Sequence, residues 1–183
     1  DYKYAAEHPE ETIGVIGKPH LIFDQKFKNP ILFGAGVFSH PVECPNFFEK
    51  YPNVKKILVP GHWMKKMCEP YYGSKVESWP VGIDTKHWTP NINKVKTYDF
   101  LIYDKVRWKY DEKRGELINP IFKILDQKKL TYQVIRYGTY QSQTLKYMID
   151  MSRAVIFLCE HETQGIAYQQ MLATNTPILA WDR

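Results

Sequence analysis

The chain has 183 residues, 44% of them hydrophobic and 15% aromatic, with a formal net charge of +5, enough apolar material for one domain or two small ones. No run of about eighteen apolar residues is present to cross a membrane, and no basic run interleaved with stacking aromatics points to nucleic acid; the modest positive balance instead suits phosphorylated ligands or peripheral contact with an anionic membrane surface. Cys44, Cys68 and Cys159 lack metal or redox spacing and read as reduced thiols of a cytoplasmic protein, and the polar start carries no secretory pattern.

In chain order, Thr12–Ile16 and His20–Phe23 are short strand candidates separated by a Gly17–Pro19 turn. Ile31–Phe33 is a strand running into Gly34-Ala35-Gly36, a glycine pair too short to identify a phosphate loop alone. Ser39-His40 follows. Asn46–Lys50 reads as a short helix, Val54–Pro60 as a strand and Gly61–Tyr72 as a helix. Trp63, Met67 and Tyr71 recur every four residues on that helix, so they are expected on its core face. Val76–Val81 is a further short strand.

After a polar stretch at Asn91–Lys94, Tyr98–Tyr103 is an apolar strand followed by a basic turn, Asp104 to Trp108. Glu116–Lys128 reads as a helix with Leu117, Ile121, Ile124 and Leu125 inward, beginning or kinking at Pro120. Leu130–Arg136 is the next strand, and Gln143–Met151 a helix with Leu145, Met148 and Ile149 inward.

The densest signal is Ala154–Asp182. Its first six residues are continuously apolar, as in a strand buried on both faces of a parallel sheet. A polar turn, Glu160 to Gly165, leads to a helical pattern in which Ile166, Ala167, Met171 and Leu172 can share a face. Asn175 and Pro177 stop the helix, and Pro177–Trp181 is a second apolar run. This is a strand–helix–strand crossover. Its turn lies at the carboxyl ends of the strands, where open parallel sheets bind ligands. Gly165 permits close backbone approach, and the first helical turn offers unpaired amides to an anion. Glu162 either caps the helix or accepts from sugar hydroxyls, and Gln170 lies eight positions on.

The stretch Glu162-Thr163-Gln164-Gly165-Ile166, then Gln170, then Ala173 to Ala180 resembles the nucleotide-sugar site of GT-B glycosyltransferases, in the large retaining group with an E-x7-E motif. Gln170 stands where that motif has its second Glu, and a neutral Gln accepts from ribose hydroxyls more weakly. Pro80-Val81-Gly82-Ile83-Asp84, followed by Trp88 and Pro90, is similar to the segment by which the family passes from one Rossmann-like domain to the next. The resemblance implies an α/β fold of two Rossmann-like parallel-sheet layers, GT-B-like, with the N-terminal layer incomplete. It implies an acceptor-side domain at 1–84, a linker at 85–96 and a nucleotide-sugar-binding domain at 97–183, the chain corresponding to the middle of such a protein.

The same resemblance gives residues roles. Glu162 orients the donor sugar, and His40 lies near donor and acceptor. Lys105 or Arg107, with Lys113, grips the diphosphate in place of the family's Gly-Arg, which is absent here. The amides of Thr163, Gln164, Gly165 and Ile166 complete that grip, Gln170 meets the ribose, and Tyr137 or Tyr140 stacks on the base. His40 also reads as an ordinary loop histidine, the basic turn as a solvated one, and the tyrosines as surface residues. No metal or other cofactor is expected. The implied function is sugar transfer from a nucleotide-diphosphate donor to an unidentified glycan, lipid or small-molecule acceptor. The alternative is a non-catalytic GT-B-like binding or scaffold protein, favoured by Gln170 and the missing Gly-Arg.

Overall fold

The computed structural model describes residues 2–34 and 40–181. Two compact units, Asp1–Val81 and Gly82–Arg183, divide the chain, and each holds a four-stranded, wholly parallel sheet with interleaved helices. This is an α/β fold consistent with two Rossmann-like layers.

In the first unit, helix α1 (Tyr2–Glu7) precedes strand β1 (Ile13–Ile16), α2 (His20–Phe23), β2 (Ile31–Gly34), α3 (Phe47–Lys50), β3 (Val54–Val59), α4 (His62–Tyr72) and β4 (Val76–Ser78). His20–Phe23 is a helical turn, not a strand: four apolar residues carry no decisive period, and Pro19 fits a helix start. The strands lie in sequence order, β1-β2-β3-β4. Right-handed crossovers that never reverse direction put their helices on one side of a sheet, and this unit accordingly has one core, built on Val15, Phe33, Phe47, Ile57, Val59 and Val76.

Helix α4 buries a different stripe from the expected one. Met64, Cys68 and Tyr72 face the core, whereas Trp63 and Tyr71 are 48% and 41% exposed. The Tyr72 hydroxyl donates to the carbonyls of Cys44 (2.8 Å) and Pro41 (3.3 Å), and burial first, then nearby acidic groups, pushes its pKa to about 12.

The second unit runs β5 (Tyr98–Asp104), α5 (Tyr110–Lys113), a π-turn (Arg114–Ile118), α6 (Asn119–Gln127), β6 (Tyr132–Arg136), α7 (Ser142–Met151), β7 (Ser152–Leu158), α8 (Ile166–Ala173) and β8 (Ile178–Ala180). The helix expected from Glu116 thus starts six residues earlier, at Tyr110, and is broken by the π-turn before Pro120 enters the first turn of α6. Ile118 and Leu125 are buried, while Ile124 is half-exposed. On α8, Met171 is buried, whereas Ile166 and Leu172 turn outward.

The strand order here is β6-β5-β7-β8. The chain moves from β5 to one side, then returns past it, so helices cover both faces. Leu101, Tyr103, Val155 and Phe157 pack with Leu145 and Ile149 of α7 and Met171 of α8; Ile102, Ile156 and Leu158 pack with Ile118 and Leu125. Trp88, 4% exposed, belongs to the first of these cores. No helix among the described residues is long and apolar enough to cross a membrane.

Candidate functional site

A reversal of winding direction opens a crevice at the carboxyl ends of the two strands that flank it. Here those strands are β5 and β7, paired from Tyr98↔Ser152 to Asp104↔Leu158. The first unit's described strands contain no such reversal. The residue after β5 is Lys105, whose amide still donates to Leu158 O (2.8 Å); the turn after β7 carries Glu160 to Gly165. Strand order therefore brings together two segments more than fifty residues apart in sequence.

Lys105 Nζ donates to Glu162 Oε2 at 2.5 Å, with the two side chains only 11% and 27% exposed. Glu162 Oε1 accepts the Thr163 amide (3.1 Å). The Lys105 ammonium also sits 4.7 Å from the centre of the Tyr137 ring. Glu160 pins the opposing turn by accepting the amides of Arg107 (3.0 Å) and Trp108 (3.1 Å), and Trp108 stacks on His161.

Beside these groups lies a cavity of about 500 Å³, walled by Glu162, Gly165, Tyr168, Gln169 and, across from them, Trp181. That volume is in the range of small-ligand sites. Its floor is aromatic: Tyr168 meets Phe157 edge-on, Phe157 stacks on Tyr103, and the Tyr103 and Tyr140 hydroxyls are 2.6 Å apart. Burial, then the Tyr140 bond, raises the Tyr103 pKa far above its ordinary value. Cys159 also lines the cavity; its thiol donates to His161 O (3.1 Å), and burial raises its pKa.

Helix α8 opens at the cavity. Gly165 is its N-cap, left-handed at φ 63°, with no side chain to cap the first-turn amides. A Cβ there would lie 3.3 Å from Glu162 Cγ and 3.5 Å from Tyr168 Cβ. Gly165→Ala is expected to cost about 1–2 kcal/mol from the left-handed backbone and to push Glu162 off Lys105. A thermal melt of the variant reads the first effect; a drop smaller than about 0.5 kcal/mol would contradict it.

Of the residues singled out from sequence, Lys105, Glu162, Thr163, Gln164 and Gly165 gather here, and Ile166 begins α8. Thr163's amide is turned to Glu162 rather than into the cavity. Gln170 does not line the cavity; its neighbour Gln169 does, donating to Gln164 O at 2.7 Å. The turn through Gly165 is not helical, so helical spacing counts from Ile166, not from Glu162.

Lys113 bonds Glu116 (3.0 Å) on α5. Arg107 reaches His161 O (3.5 Å). Tyr140 is held by Tyr103.

His40 is in the first unit. Its Nδ1 accepts the Val42 amide (3.2 Å), its own amide donates to Glu43 Oε1 (3.0 Å), and its ring meets Tyr71 edge-on. Ala35, Gly36 and Ser39, part of the glycine pair and the residue before His40, lie outside the described residues.

Sequence reasoning did not pick out His8, Glu10 and Glu11, whose ligand atoms lie within 4.8 Å of one another. These groups are engaged locally: His8 with Glu10, and Glu11 with the Tyr4 hydroxyl. It also missed Tyr137 as a partner of Lys105, which becomes visible only once β5 and β6 are known to be neighbours.

No family model matches the chain, and no curated protein matches it. Among solved structures, a chain of the crystal structure of accessory secretory protein 1,2 and 3 in Streptococcus pneumoniae is similar, with a TM-score of 0.54 at 12% identity. The likeness is one of fold. It covers 98% of this chain and 42% of that one, so the present chain spans less than half the length of its neighbour.

Proposed function

We propose that the second unit binds a nucleotide-diphosphate sugar and that the chain is part of a GT-B-type glycosyltransferase. The observation that carries this reading is the Lys105 ammonium against the Glu162 carboxylate, at the reversal of the sheet and beside a cavity at the start of α8. A cation and a row of first-turn amides suit a diphosphate, and a carboxylate suits sugar hydroxyls. In transfer, Lys105 and the amides from Gly165 onward stabilise charge that develops on the departing diphosphate, while Glu162 orients the sugar. In this reading His40 serves the acceptor side, Gln170 meets the ribose and Lys113 adds to the grip on the diphosphate. The protein works in the cytoplasm, at most at the membrane periphery.

A second reading is a non-catalytic binding or scaffold protein of the same fold. It is favoured by the position of Gln170, off the cavity wall, and by the neighbour's crystallisation together with other accessory secretory proteins, which makes protein partners reasonable here.

Calorimetric titration with UDP, GDP and their glucose, N-acetylglucosamine and mannose conjugates tests the first reading. At least one is expected to bind with a Kd between about 1 µM and 1 mM. No binding by any, with circular dichroism intact, would overturn it. Binding without any donor turnover would favour the scaffold reading.

A further inference from the structure

We infer that Lys105 exchanges partners when the site fills, and that Tyr137 is the positioning residue that holds its ammonium through the exchange; this rests on the nucleotide-sugar reading. Each oxygen of Glu162 already holds a donor. Oε2 takes Lys105 and Oε1 takes the Thr163 amide. A sugar hydroxyl meets this carboxylate at full charge only when the Lys105 ammonium no longer neutralises it. Lys105, for its part, attracts a phosphate less strongly while its charge is matched by Glu162 at 2.5 Å. The two groups therefore mask each other.

Tyr137 makes the exchange workable. Its amide donates to Asp104 O (2.8 Å), next to the Asp104↔Arg136 pair that joins β5 to β6. The backbone of Tyr137 is thereby held beside the root of Lys105, and its ring, 48% exposed, faces the ammonium at 4.7 Å. An aromatic face attracts a cation without neutralising it. An ammonium has three donors, so Nζ can stay over the ring while it turns from carboxylate to phosphate. The diphosphate, with more negative charge than a carboxylate, takes Lys105, and Glu162 is released to the sugar. Sugar binding is thus strengthened by diphosphate binding, and a neutral monosaccharide finds the carboxylate's charge already matched by Lys105.

The exchange makes a prediction opposite in sign to that for an ordinary ligand contact. Glu162→Gln, which keeps shape and removes the competing charge, should tighten UDP or GDP, without sugar, roughly three- to tenfold, the worth of a modest ion pair. Tyr137→Leu should weaken the same diphosphate about three- to fivefold, leave uridine or guanosine unchanged, and be rescued by Tyr137→Phe. A merely structural role for Tyr137, or the base stacking that the resemblance implies for it, would weaken nucleoside and diphosphate alike, and that result would overturn its assignment. If the unsubstituted chain binds UDP or GDP and Glu162→Gln binds it equally or less well, the exchange is wrong while the donor reading stands. If neither protein binds any nucleotide, both fall together.

Discussion

Lys105→Met is expected to weaken nucleotide-diphosphate binding by about 10- to 100-fold while the fold survives. The side chain is nearly buried, and its ammonium pairs with Glu162, a residue of the cavity wall. A hydrogen bond between charged groups is worth about 1.5–3 kcal/mol, which converts to that range. Methionine preserves most of the aliphatic stem, so the side chain stays in place while the ammonium's contact with Tyr137 is lost. Glu162 then loses its counterion but keeps the Thr163 amide and partial solvent access, so the stability cost should stay near 1 kcal/mol. Titration of the variant, with its melting temperature as control, separates the two effects. Unchanged affinity would remove Lys105 from the binding surface and with it the main support for a diphosphate.

Asp104→Ala is expected to give the largest loss of stability, about 3 kcal/mol. This carboxylate ends β5, and its side chain is 4% exposed. It accepts from the Val106 amide (3.0 Å), the Tyr110 hydroxyl (3.0 Å) and Arg136 (2.7 Å), and the guanidinium lies flat over Tyr110 at 3.7 Å. Burial, and then the bond to Asp104, raises the pKa of the Tyr110 hydroxyl. Alanine would strand a buried amide and leave Arg136 without its counterion. For a unit of roughly a hundred residues that should lower Tm by more than about 10 °C. Asp104→Asn keeps an acceptor for Val106 and should lose about half as much. Calorimetric melting of both variants tests the order; equal, small shifts would show that the knot is not what fastens α5 to the sheet.

The second sheet was legible in the sequence because its two central strands are largely buried on both faces. YDFLIY and AVIFLC are apolar without a break, and such runs separated by helical periods have few other readings. Helix α4 was not legible in the same way. HWMKKMCEPYY holds two four-residue stripes one position apart, and both are apolar. What selects Met64, Cys68 and Tyr72 is in part a pair of carbonyls some thirty residues back that receive the Tyr72 hydroxyl, and no local pattern records them. The site shows the same division. Glu162, Gly165 and Lys105 stand out by residue type and position at strand ends. That Lys105 meets Glu162 follows only from β5 lying beside β7, and that Tyr137 joins them follows from β6 lying on its other side. Gln170 stands off the cavity wall because the turn that separates it from Glu162 is not helix.

The first sheet's one-directional winding has an outcome for how the protein stays dispersed. With all its crossovers on one side, the opposite side carries Ile16, 53% exposed, and half-buried Leu32 and Leu58. Lys56, two residues before Leu58, points the same way, and Glu77 is Leu58's register partner. Lys56 and Glu77 approach to 3.8 Å, and Lys65 reaches the same carboxylate at 2.9 Å. Charges set among aliphatic neighbours at a sheet margin discourage stacking of one chain on another, and this face carries such a cluster in place of an unbroken apolar surface.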